Sequence, residues 1–208
     1  MPDSMMTVNR HIVIIMDRSG SMASCRRDTE QGLQGFLADQ FHEFPTGTIA
    51  SLYQFDTEYE PVYENVDIAD VPLYELTPRG GTALLDAIGR TINAVKAKWK
   101  PVAKDQRPDV IVVIVTDGHE NSSKEFNAET IKEKIEKRTA KGWTFIYLGA
   151  NQDAITVAAS YGISRDGSMT YDTGNTRSAF TTLSGLVTRG SKGGSYSFTD
   201  EDRTSAVE

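Results

Sequence analysis

Two uninterrupted apolar runs, residues 11–16 (His-Ile-Val-Ile-Ile-Met) and 110–115 (Val-Ile-Val-Val-Ile-Val), constrain this chain more than any other feature. Neither alternates with polar residues, so each is predicted as a strand buried on both faces. Between and beyond them, apolar residues recur every three or four positions. Leu33, Phe36, Leu37 and Phe41 do so within residues 23–44, and Leu85, Ile88, Ile92, Val95 and Trp99 do so behind Thr82. Ile131 and Ile135 follow Asn127, which offers a helix N-cap. Further strands are predicted at 48–55, 143–148 and 168–171. Further helices are predicted at 152–160 and around Ala179, Phe180, Leu183, Leu186 and Val187. Residues 59–66 differ. They alternate polar and apolar, contain Pro61, and follow the preceding strand after only residues 56–58, so they form an antiparallel edge strand. Strands alternating with helices define an α/β chain: a doubly wound, mostly parallel six-stranded sheet with helices on both faces.

A chain of 208 residues suits one domain with a full core. The 22 basic and 29 acidic residues leave a net charge of −7, which argues against a nucleic-acid or anionic-membrane surface. The densest basic group, Lys132, Lys134, Lys137, Arg138 and Lys141, is interleaved with Glu129, Glu133 and Glu136 and reads as a solvated helix face. Cys25 is alone, so neither an intramolecular disulfide nor a zinc knuckle is available, and it reads as a small helix residue. Residues 1–10, an N-terminal extension, hold no apolar core for a signal peptide. No stretch approaches the ~18 apolar residues of a membrane span, and the expected location is cytoplasmic. Past Arg189 the chain turns to Gly190, Ser191, Lys192, Gly193, Gly194 and Ser195. Disorder is predicted for 190–208, with Tyr196 and Phe198 available to dock.

Each long apolar run ends beside an aspartate. Asp17, Arg18, Ser19, Gly20 and Ser21 follow the first, placing a carboxylate and two hydroxyls at alternate positions around a glycine that permits a tight turn. Thr116, Asp117 and Gly118 follow the second, and Gly80, Gly81 and Thr82 precede a helix. In doubly wound sheets ligands gather beyond the carboxyl ends of the strands, where the winding reverses. If 11–16 and 110–115 are neighbours, Asp17, Ser19, Ser21, Thr82 and Asp117 converge there. Such an oxygen set, rich in hydroxyls and poor in carboxylates, suits Mg²⁺ or Mn²⁺ ahead of Ca²⁺. His119 and Glu120 could pass for an acid–base pair but read as the rim of a loop, while His11 and His42 read as structural or surface residues. Arg18 and Arg79 flank the cluster and either select an acidic partner or steady a loop. No Gly-x-Gly-x-x-Gly follows a strand, and a Walker lysine is missing.

Asp17-Arg18-Ser19-Gly20-Ser21 with Thr82 and Asp117, on this order of strands and helices, resembles the von Willebrand factor type A (VWA) domain and its metal-ion-dependent adhesion site (MIDAS). Gly-Thr-Ala-Leu-Leu-Asp-Ala-Ile from Gly81 and Thr-Asp-Gly from Thr116 strengthen the likeness, which covers residues 11–189 and is nearest to free-standing bacterial and phage members. The resemblance implies a Rossmann-like sheet ordered 3-2-1-4-5-6. It further implies that Ser19 and Ser21 ligate the metal directly, that Asp17 and Asp117 act through water, and that Thr82 joins directly or through water. A partner's Glu or Asp would fill the open position. The expected function is therefore a metal-dependent protein-binding module, not an enzyme, with no nucleic-acid or membrane partner. One alternative is a Mg²⁺-dependent phosphatase of the haloacid-dehalogenase type, although Ser19 stands where that chemistry needs a second aspartate. Another is a subunit of a cytosolic assembly in which the metal is structural.

Overall fold

Arg10–Asp17 (β1), Thr48–Phe55 (β2), Tyr59–Asp67 (β3), Asp109–Thr116 (β4), Thr144–Ala150 (β5) and Ser168–Tyr171 (β6) form one sheet in the computed structural model, which describes residues 7–151 and 153–206. The order is β3-β2-β1-β4-β5-β6. β2 and β3 are antiparallel and every other neighbouring pair is parallel, as the short 56–58 link requires. All of β1 is buried, as is β4 after Asp109. This is the burial that unbroken apolar runs demand.

Successive residues of β1 and β4 serve opposite faces. Ile12, Ile14, Met16, Ile111, Val113 and Val115 pack on Arg26–Glu43 (α1) and Thr176–Ser191 (α5) through Leu33, Phe36, Phe180 and Leu183. Val13, Ile15, Val112 and Ile114 pack on the other side against Leu84–Trp99 (α2), Ala128–Thr139 (α3) and Ala154–Ser160 (α4), through Leu85, Ile88, Ile131, Ile135 and Ala158. Asn127 caps α3 by accepting from the Thr130 N–H. Phe41 departs from the stripe predicted for α1; it is 41% exposed beside a shallow apolar groove that includes Leu37 and Leu73.

The end of the chain differs from the disorder predicted for 190–208. α5 runs on to Ser191, Tyr196 packs on Gly190, and Phe198 is buried, its N–H donating to the Asp166 carbonyl at 2.9 Å. A last helix follows, Asp200–Ser205 (α6), opened by a reciprocal capping box between Thr199 and Asp202. Arg203 donates to the carbonyls of Ser168 and Arg165, fastening α6 to the edge of β6. A glycine- and serine-rich stretch thus leads to two aromatic anchors and a cap, enough to hold the segment on the core. Residues 207–208 and residues 1–6 of the predicted N-terminal extension lie outside the described residues. Among the described residues, no helix is long and apolar enough to cross a membrane.

Candidate metal-binding crevice at the carboxyl ends of β1 and β4

The winding reverses between β1 and β4, which are direct neighbours with Met16 opposite Val115. Asp17 therefore ends β1 beside Thr116, the last residue of β4, and the loops that follow diverge around a crevice. Asp17 is fully buried. One of its oxygens accepts the Ser19 N–H at 2.7 Å and the other accepts the Thr116 hydroxyl at 2.5 Å. These bonds fold the loop back so that the Ser19 and Ser21 hydroxyls lie 3.1 Å apart, and Ser21 donates to Asp117 at 2.7 Å.

Thr82 arrives from the loop before α2. Its N–H donates to the Asn121 side chain at 2.9 Å, and its carbonyl accepts the N–H groups of Asn121 and Ser122. The point of convergence is given by Gly118. A β-carbon added there would lie 3.1 Å from the Thr82 hydroxyl, 3.6 Å from that of Ser21 and 3.9 Å from that of Ser19. Hydroxyls from two loops thus surround one small space, next to Asp117 and in front of Asp17. All five residues singled out in the sequence line this crevice.

Electrostatically the crevice is short of positive charge. Burial pushes the Asp17 carboxyl up to about 6, against the opposing pull of its Thr116 and Ser19 donors. Burial also raises Asp117, with Ser21 opposing. Arg18, next in sequence, turns away to Asp56 and Glu60, each at 2.8 Å. Two desolvated carboxyls with three converging hydroxyls fit a hard divalent cation, which prefers oxygen and would compensate the carboxylates. Among the described residues no three His, Cys, Asp or Glu side chains gather as a metal centre, so the hydroxyls are essential to that fit.

The surrounding loops are held by a buried carboxylate that the motifs do not include, Asp56, and by charged residues that flank them. Asp56, 1% exposed, accepts from Arg18 and from Arg79 at 2.7 Å. Burial alone would raise its carboxyl, but Arg79, the Glu58 N–H and Arg18 outweigh burial and lower it. Arg18 and Arg79 therefore steady loops instead of facing the crevice. Glu120 accepts the N–H groups of Leu85, Ser122 and Ser123. Asp86 accepts those of Lys124, Glu125 and Phe126. Both acids bind the 118–126 loop to the start of α2; in sequence Glu120 reads as a loop rim and Asp86 carries no role of its own. His119 is exposed on the rim, while His11 lies buried near the opposite end of β1.

Sheet order and the antiparallel edge are those of the von Willebrand factor type A fold. Among solved structures, the chain is similar to proximal thread matrix protein 1 from the mussel byssus, with a TM-score of 0.63 and 17% identity, covering 88% of this chain and 48% of that one. It is also similar to the vWF domain of the type V pili tip protein Mfa5 from Porphyromonas gingivalis, with a TM-score of 0.60 and 11% identity over 88% of this chain and 96% of that one. A third similar structure is the ArnB paralog VWA2 from Sulfolobus acidocaldarius, at a TM-score of 0.55 and 15% identity over 86% and 46%. The chain spans about half the length of the mussel protein. No protein-family model and no curated protein matches the sequence. At these identities the likeness is one of fold.

Proposed function

We propose that this chain is a protein-interaction module that engages an acidic side chain of its partner through a divalent cation, Mg²⁺ or Mn²⁺. The observation that carries the reading is the convergence of the Ser19, Ser21 and Thr82 hydroxyls around the space beside Gly118, with Asp17 and Asp117 behind them. These five residues would hold the ion. Neutral hydroxyls would leave it electrophilic, so that a Glu or Asp arriving from outside gains far more than in an ordinary surface contact. Both Asp17 oxygens are already taken by internal donors. That supports a supporting role for this carboxylate over the nucleophilic one a phosphatase would require.

Thermal melts of metal-stripped protein test the proposal directly. Addition of Mg²⁺ or Mn²⁺ should raise Tm saturably in the parent chain and leave Ser19→Ala unmoved, since an ion that binds only the folded state stabilises it by mass action. Equal shifts in the two proteins would overturn the assignment. With the ion bound, immobilised glutamate-containing peptides should be retained and then released by EDTA.

A further inference from the structure

At the other end of the sheet, a pocket of about 500 Å³ opens between the carboxyl ends of α2 and α3 and the start of β4. Its lining includes six cations, Lys96, Lys100, Lys104, Arg107, Arg138 and Lys141, against one carboxylate, Asp109. It also includes Trp99 and Trp143, the only two tryptophans of the chain. The volume is typical of a small-molecule site.

Cations at helix carboxyl ends ordinarily complement the backbone dipole. Three features exceed that role here. The six come from α2, from the loop after it, from α3 and from the turn after α3, yet they meet around one concavity. None is ion-paired among the described residues, in a chain with seven more acidic than basic side chains. Two half-buried indoles stand among them, each with a cation near its face: Arg138 lies 5.8 Å from the Trp143 ring and Lys98 lies 5.1 Å from the Trp99 ring. Trp99 is fixed in orientation because its Nε1–H donates to His11 Nδ1 at 3.0 Å.

We infer that this pocket binds a phosphorylated small molecule carrying a flat ring, of the nucleoside di- or triphosphate class. Lysines and arginines without a carboxylate partner in a concave site focus a positive field on multiply charged phosphate. Arg107 already donates to the carbonyls of Val102 and Lys100, so Arg138 is the arginine placed to engage phosphate through two parallel hydrogen bonds. Trp99, whose ring contact is an edge-on one with His11, supplies the stacking surface that the ring requires, while Trp143 is already stacked on Phe145 and adds apolar wall. The predicted metal crevice lies beyond the opposite ends of the same strands, so the two sites are separate.

Because both tryptophans line the pocket, intrinsic tryptophan fluorescence reports on it directly. The full chain, in EDTA to silence the metal crevice, is titrated with ATP, tripolyphosphate and adenosine by fluorescence and calorimetry. ATP should quench saturably and bind more tightly than tripolyphosphate, and adenosine should bind least. The exposed double variant Lys104→Glu with Lys141→Glu should weaken ATP by about tenfold or more with an unchanged urea midpoint. Absence of quenching and heat up to millimolar ATP, or equal binding by the double variant, would overturn the site. Equal affinity for tripolyphosphate and ATP would overturn the nucleotide class, and so would affinity that rises with the length of a single-stranded oligonucleotide.

Discussion

Replacing His11 with glutamine should abolish a specific share of the chain's acid sensitivity. His11 is buried in β1, with Nε2 2.9 Å from the Ser51 hydroxyl and Nδ1 3.0 Å from the Trp99 indole nitrogen. The indole can only donate, so Nδ1 accepts and the ring is neutral with its proton on Nε2. Burial, assisted by the charge of Lys98, lowers its pKa from 6.5 to about 3. Below pH 6.5 the unfolded chain therefore takes up a proton that the folded chain refuses, and stability falls as pH falls. Between pH 7 and pH 5 that difference amounts to about 2 kcal/mol, at 1.36 kcal/mol per unit. Asp17, raised to about 6, works in the opposite direction in both proteins and so cancels from their difference. Urea unfolding of the parent and His11→Gln at pH 7, 6 and 5 provides the assay. The glutamine variant should be less stable at pH 7, because it gives up a packed ring, and the gap should narrow by about 2 kcal/mol at pH 5. A gap independent of pH would show that His11 titrates alike in both states and would refute the reasoning.

Gly118→Ala should fold but lose the metal-induced rise in Tm, because its new methyl would sit 3.1 Å from the Thr82 hydroxyl in the space the ion needs. Gly32→Ala should cost about 1–3 kcal/mol in urea, since the β-carbon would lie 2.4 Å from Cδ2 of Phe180 and force α1 from α5. Arg18→Met should lose about 3 kcal/mol, because it removes a buried partner of Asp56, and Asp56→Asn in the same background should recover part of the loss. Thr199→Ala should cost about 1 kcal/mol and raise amide exchange in α6 ahead of the rest of the chain.

Much of this architecture was legible because local signals agreed with the global pattern. The unbroken runs 11–16 and 110–115 became the two central strands, the Asn127 cap opened α3, and the short link with Pro61 fixed the antiparallel edge. The crevice was legible for a related reason: its residues sit directly after strands or before a helix, so topology brings them together. Pairings between remote segments were not legible. Arg18 and Asp56 are 38 positions apart, and nothing in either neighbourhood announces the other. The basic pocket was hidden likewise. Arg138 and Lys141 belong to what reads as a solvated helix face until α2 delivers Lys96 and Lys100 alongside. The tail was misread because glycine and serine dominate its composition, whereas Tyr196, Phe198 and the Thr199–Asp202 cap decide its conformation.

An open sheet has two rims, and each is an invitation to polymerise unless it is blunted. One rim here is β3, where Pro61 removes a donor and Glu60 and Glu64 place charge along the strand. The other is β6, only four residues long, and α6 covers it through Arg203. Strand addition is thereby denied at both rims, which leaves the two ends of the sheet, where the loops lie, as the surfaces free to meet other molecules. Cutting the chain after Ser191 would uncover β6 while β3 stayed guarded. Growth should then proceed from a single rim, so light scattering should report paired chains, joined β6 to β6, before any larger aggregate.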